Sequence, residues 1–68
     1  MSERVSNSVY ELRTKAGLTQ EELAERVGIT RQTVISIEKG NYTPSVLLAL
    51  KLAAVFTKHV EQIFWYEK

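Results

Sequence analysis

Residues 19–39 read TQEELAERVGITRQTVISIEK, and the order of polar caps, apolar residues and glycine in this stretch decides the fold. Thr19 followed three residues later by Glu22 fits a reciprocal cap, in which the threonine oxygen takes a free amide and the glutamate reaches back. Leu23, Ala24 and Val27 then supply one buried face, and Gly28 ends the helix. Thr30 is placed to cap the next helix, whose buried stripe is Val34 and Ile37 and whose end is marked by Gly40. The two helices are separated by a very short turn, as in a helix-turn-helix. Working outward toward the start, Val5, Val9, Leu12 and Ala16 are spaced by four, three and four residues, which predicts a first helix from near Ser6 to Gly17. Toward the end, Asn41 to Pro44 reads as a loop, and Ser45 caps a fourth helix. Ten of the eleven residues from Val46 to Phe56 are apolar, Lys51 being the exception. A last short helix is predicted over Val60 to Phe64, continuing into Trp65 and Tyr66. The expected fold is all-α, one domain of five helices over residues 1–68.

Composition excludes much. The chain has 68 residues, a formal charge of +1, one His and no Cys, and all eight of its acidic residues are Glu. It therefore lacks the residues for a Cys/His zinc site or a Ser-His-Asp triad, and neither cofactor nor metal is expected. Glu21, Glu22 and Glu25 read as first-turn carboxylates favoured by the helix dipole and not as an acid/base pair, so an enzyme is not expected. His59 reads as a cap or surface residue. No apolar stretch is longer than the five residues from Val46 to Leu50, too short to span a bilayer, and no signal-peptide core follows Met1. A cytoplasmic location is the expectation.

The second helix of the pair carries Arg31, Gln32, Thr33 and Ser36 on the side away from Val34 and Ile37. A helix-turn-helix enters the major groove with the N-terminus of its second helix foremost. There Arg31 matches a guanine edge, Gln32 an adenine edge, and Thr33 a phosphate or thymine methyl, with Ser36 one turn on. Any one of these on its own is equally well a solvated polar residue. Four together, in this turn geometry, favour contact with bases.

The runs Leu18-Thr-Gln-Glu-Glu-Leu-Ala24, Val27-Gly-Ile-Thr-Arg-Gln-Thr-Val34, Ile37-Glu-Lys-Gly-Asn41 and Thr43-Pro-Ser45 follow one another in an order that resembles the phage-repressor or Cro-like (XRE-type) helix-turn-helix family. The resemblance covers about residues 6–66. It implies a compact five-helix, lambda-repressor-like domain that binds double-stranded DNA as a homodimer on an inverted repeat. Members made of this domain alone resemble simple repressors of prokaryotic or phage origin, working at the nucleoid. By the same resemblance Thr30, Arg31, Gln32 and Ser36 match positions facing bases. Gln20 matches a residue that contacts a phosphate and braces the recognition helix, and Lys39, Asn41 and Tyr42 match the loop that grips the backbone. Arg13 and Glu38 match a structural pair tying the first helix to the end of the third.

Two features depart from that pattern. Where the family has Gly after the fourth helix this chain has Thr57, and a threonine is strained in the left-handed conformation, so a different link to the last helix is expected. The fourth helix also carries Leu47 and Ala54 where the family often has charge. Apolar residues exceed what so small a core can bury, which predicts a dimer seam of Val60, Ile63, Phe64, Trp65 and Tyr66 with the outer side of the fourth helix. The same surplus supports a second reading, a protein-interaction module such as an antitoxin that covers a partner protein.

Overall fold

The helix caps in the computed structural model, which describes residues 3–68, are those that the local sequence dictates. Helix α1 spans Val9–Lys15, α2 Gln20–Val27, α3 Arg31–Glu38, α4 Val46–Phe56 and α5 Val60–Ile63. At the start of α2 the Glu22 amide donates to Thr19 Oγ1 at 3.0 Å, while the Thr19 amide donates to Glu22 Oε1 at 2.8 Å. The hydroxyls of Thr30 and Ser45 accept the amides of Thr33 (3.2 Å) and Leu48 (3.1 Å), satisfying donors that a helix start leaves free. Gly28 closes α2 with φ +74°, a conformation that costs a residue with a Cβ about 1 kcal/mol or more.

The core lies where α2, α3 and α4 meet α1 and α5. Val9, Leu23, Ala24, Val27, Val34, Ile37, Leu48, Ala49, Leu52, Ile63 and Phe64 form one buried cluster, with Val5, Leu12, Leu18 and Val60 packed against it. Each periodic stripe read from the sequence supplies residues to this cluster, so the five-helix reading holds. Among the described residues no helix is long and apolar enough to cross a membrane.

Two segments differ from the sequence expectation. Residues Arg4–Asn7 form strand β1 and Phe64–Glu67 strand β2, paired antiparallel in the register Arg4 with Glu67, Val5 with Tyr66, Ser6 with Trp65 and Asn7 with Phe64. The first helix thus begins at Val9 and not near Ser6, and the aromatic run leaves the helical conformation after Ile63. Three consecutive aromatic residues suit a pleated surface better than a helix end. The Ser8 amide also donates to the Ile63 carbonyl at 2.9 Å, which brings the two segments together. At the far end of the sheet Glu67 accepts the Ser6 hydroxyl at 2.6 Å and also faces Trp65 Nε1 and the Arg4 guanidinium. The Ser6 bond, then those from Trp65 and Arg4, hold its carboxyl below the ordinary range.

The link between α4 and α5 corrects the other expectation. Thr57 takes the left-handed geometry after all, with φ 54° and ψ 48°, and the Lys58 amide donates to the Ala53 carbonyl at 3.1 Å. The closing turn is therefore the one glycine ordinarily makes, formed here by a β-branched residue under strain. Thr57→Gly is expected to raise stability by about 1 kcal/mol, read as a higher urea midpoint at unchanged slope. A lower midpoint would show that the threonine side chain contributes more than its backbone strain costs.

Candidate nucleic-acid interface

Burial orients α3. Val34 and Ile37 are each 1% exposed and lie in the core, which leaves Thr30, Arg31 and Gln32 exposed and Thr33 and Ser36 half-buried on the outer side. Thr30, Gln32, Thr33 and Ser36 share one shallow depression of about 220 Å³ with Asn41 and Tyr42 from the following loop. The structure thus gathers six of the sequence-selected residues on one surface. Within it the hydroxyls of Thr30 and Thr33 lie 2.9 Å apart and hydrogen-bond, so Thr30 acts first as the helix cap and its hydroxyl has limited capacity left for a ligand.

Arg31 stands apart from that group. Together with Arg13, Thr19, Gln20 and Glu21 it lines a second depression, over the start of α2. The charges along it are mixed: Arg31 and the start of α2 are positive, Glu21 is negative, and Arg13 is already paired with Glu38. Lys39 and Asn41 line a third, polar cleft whose other wall is β1, from Arg4 to Asn7.

Beneath these surfaces lies the pair expected from the sequence. Arg13 donates from Nε to Glu38 Oε2 at 2.6 Å and from Nη2 to Oε1 at 3.2 Å, with side chains 9% and 7% exposed. Its third nitrogen donates to the Leu18 carbonyl at 2.9 Å, and its guanidinium lies 5.3 Å from the centre of the Tyr10 ring. The bond to Glu38 raises the Arg13 pKa in spite of burial, which acts the other way. Gln20 completes the group by donating from Nε2 to Glu38 Oε1 at 3.1 Å. Gln20 therefore holds the last residue of α3, the bracing half of its expected role.

The proposed dimer seam needs correction. Ile63 is fully buried and Phe64 is 9% exposed, both within the core of this chain, so neither is available to a partner. α5 is a single turn that points Ile63 inward, and Phe64 is held by its pairing with Asn7. Val60 is half-buried against the core, while Trp65 and Tyr66 remain exposed along with Val46, Leu47 and Leu50 of α4.

Asn7 is a residue that sequence reasoning missed. Its side chain reaches the end of α3, donating from Nδ2 to the Ile37 carbonyl at 2.9 Å. The signal was the pair Asn7-Ser8 just before Val9, a capping pattern hidden by counting Val5 into the helix and starting it too early.

Comparison with known proteins agrees with this geometry. The helix-turn-helix family model matches residues 9–63. The chain is 53% identical over 64 residues to YgzD, an HTH-type transcriptional regulator of Bacillus subtilis, covering 94% of this chain and 97% of that one. It is 58% identical over 57 residues to an HTH-type transcriptional regulator of Methanothermobacter thermautotrophicus, covering 82% and 83% of the two chains. Among solved structures, the restriction-modification controller protein C.AhdI from Aeromonas hydrophila superposes with a TM-score of 0.73 at 37% identity, over 79% of this chain and 82% of that one. With the capped helix pair, the outward face of α3 and these relatives in agreement, the chain belongs to the XRE-type helix-turn-helix family of DNA-binding transcriptional regulators.

Proposed function

We propose that this regulator is a sequence-specific repressor that binds an inverted-repeat operator as a homodimer, with α3 in the major groove. The observation that carries the reading is the shared surface of Thr30, Gln32, Thr33, Ser36, Asn41 and Tyr42, opposite the buried side of α3. In it Gln32, Thr33 and Ser36 reach base edges, Arg31 reads a guanine at the margin nearest α2, and Thr30 lies at the tip of the helix. Lys39, Asn41 and Tyr42 grip the sugar-phosphate backbone, as does Gln20 where its amide and the start of α2 meet a phosphate. The homodimer rests on Val46, Leu47, Leu50, Trp65 and Tyr66, which are large, apolar and exposed, and on the half-buried Val60. A regulator of this kind works in the cytoplasm at the nucleoid.

Selection of bound duplexes from random DNA tests the proposal, and an enriched sequence with two symmetric half-sites about 34 Å apart is expected. On that duplex Arg31→Ala and Gln32→Ala should each cost about 1–3 kcal/mol and relax preference at one base pair per half-site. Lys39→Ala should instead weaken selected and random DNA by similar factors, and lower the dependence of log K on log salt by about one unit. Equal effects of Arg31→Ala and Lys39→Ala on both DNAs would remove α3 as the reading helix. The exposed apolar side of α4 favours one second reading, a module that covers a partner protein. A chain that stays monomeric in light scattering at micromolar concentration and shifts no DNA would favour it.

A further inference from the structure

The side chain of Asn7 joins three elements. It ends β1, where it pairs with Phe64 of β2. Its Oδ1 accepts the Val9 amide at 3.0 Å, capping the first turn of α1, and this fixes Nδ2 as the group that donates to the Ile37 carbonyl at 2.9 Å.

That carbonyl is the pivot of the turn that follows the recognition helix. The Gly40 amide donates to it at 2.9 Å, and the Asn41 amide donates to the Ser36 carbonyl at 2.9 Å, with Gly40 left-handed at φ +82°. This paired closing pattern determines where Lys39, Asn41 and Tyr42 leave the helix. A carbonyl oxygen has two lone pairs, and here Gly40 takes one and Asn7 the other. The bond is half-buried and spans 30 residues, so it ties the terminal sheet to the end of α3.

We infer that Asn7 is a positioning residue for DNA reading: through Ile37 it fixes the angle of α3 and the exit of the 39–42 loop, without touching DNA itself. This inference rests on the assignment of α3 as the reading helix. In the absence of the bond, the core still holds α3 through Val34 and Ile37, but its last turn and the loop are free to shift together. Base contacts need placement to within about half an ångström, whereas phosphate contacts by long side chains tolerate such shifts.

Asn7→Asp and Asn7→Ser separate the two functions of the side chain. Each keeps an oxygen able to accept the Val9 amide, and neither supplies an N–H to Ile37; serine also controls for the charge that aspartate adds. Two readouts are needed, both on the intact protein below its unfolding transition. The first is amide hydrogen exchange in the free protein, where Gly40 and Asn41 are expected to exchange about fivefold faster while Val9 is unchanged, the effect of losing one hydrogen bond. The second is the ratio of affinity for the duplex enriched from random DNA to that for a scrambled duplex, expected to fall about fivefold or more with the salt dependence unchanged. A purely structural role for Asn7 would lower the unfolding midpoint and leave the ratio as in the wild type, and that result overturns the inference. Unchanged exchange at Gly40 and Asn41 in both variants overturns it as well. Failure of the wild type to enrich any duplex would sink the repressor reading and, with it, the role of Asn7 in reading DNA, while the exchange measurement would still report on the tether.

Discussion

Glu38→Ala is expected to destabilise the protein by about 3 kcal/mol, the lower end of the cost of stranding a buried charge. The reason is the number of groups that converge on one carboxylate. Arg13 donates to both of its oxygens and Gln20 to one, and the Arg13 and Glu38 side chains are 9% and 7% exposed. Removing the carboxylate leaves the guanidinium with only the Leu18 carbonyl and the Tyr10 ring, under cover and without a counter-charge. A chain of 68 residues has a total stability of about 3–10 kcal/mol, so the loss is a large fraction of the whole. Arg13→Ala should cost a similar amount. The double variant should cost less than the sum of the two, because it strands neither partner. Urea unfolding followed by helical circular dichroism measures all three, and additive losses would show that the two residues act independently.

Leu23→Ala is expected to cost about 3–4 kcal/mol, within the range for deleting a large buried aliphatic side chain. Leu23 is fully buried on α2, the helix that packs against both α3 and α4, so the surrounding elements cannot close over the gap without moving α3 or α4. Leu47→Ala on α4 removes the same atoms from a residue 64% exposed, and should change protomer stability by less than about 0.5 kcal/mol. If Leu47 lies in the homodimer seam, this second variant should show its effect in light scattering as weaker self-association. Equal destabilisation by the two substitutions would mean that the outer side of α4 is already covered within one protomer.

The helices were legible because their signals are local. Thr19 with Glu22, Thr30, Ser45, Gly28 and Gly40 each act within one turn, and the structure uses each of them as a cap or a stop. The outward face of α3 followed from Val34 and Ile37 alone, since at helical period their burial leaves Gln32, Thr33 and Ser36 on the other side. The Arg13 and Glu38 pair was legible only through family resemblance, because nothing within 25 residues of sequence separation says that two charges will meet.

The sequence by itself thus determined that there are five helices, the caps of α2, α3 and α4 and the side of α3 that faces outward, since these depend on neighbours within a few residues. Tertiary structure alone decided that residues 4–7 and 64–67 are strands, that Ile63 and Phe64 lie inside the core, that Arg31 lines the depression over the start of α2 while Gln32 lines the one shared with Asn41 and Tyr42, and that Asn7 holds the Ile37 carbonyl. A four-residue segment carries too little periodicity to declare a strand, and its backbone groups are satisfied only by a partner from the opposite end of the chain.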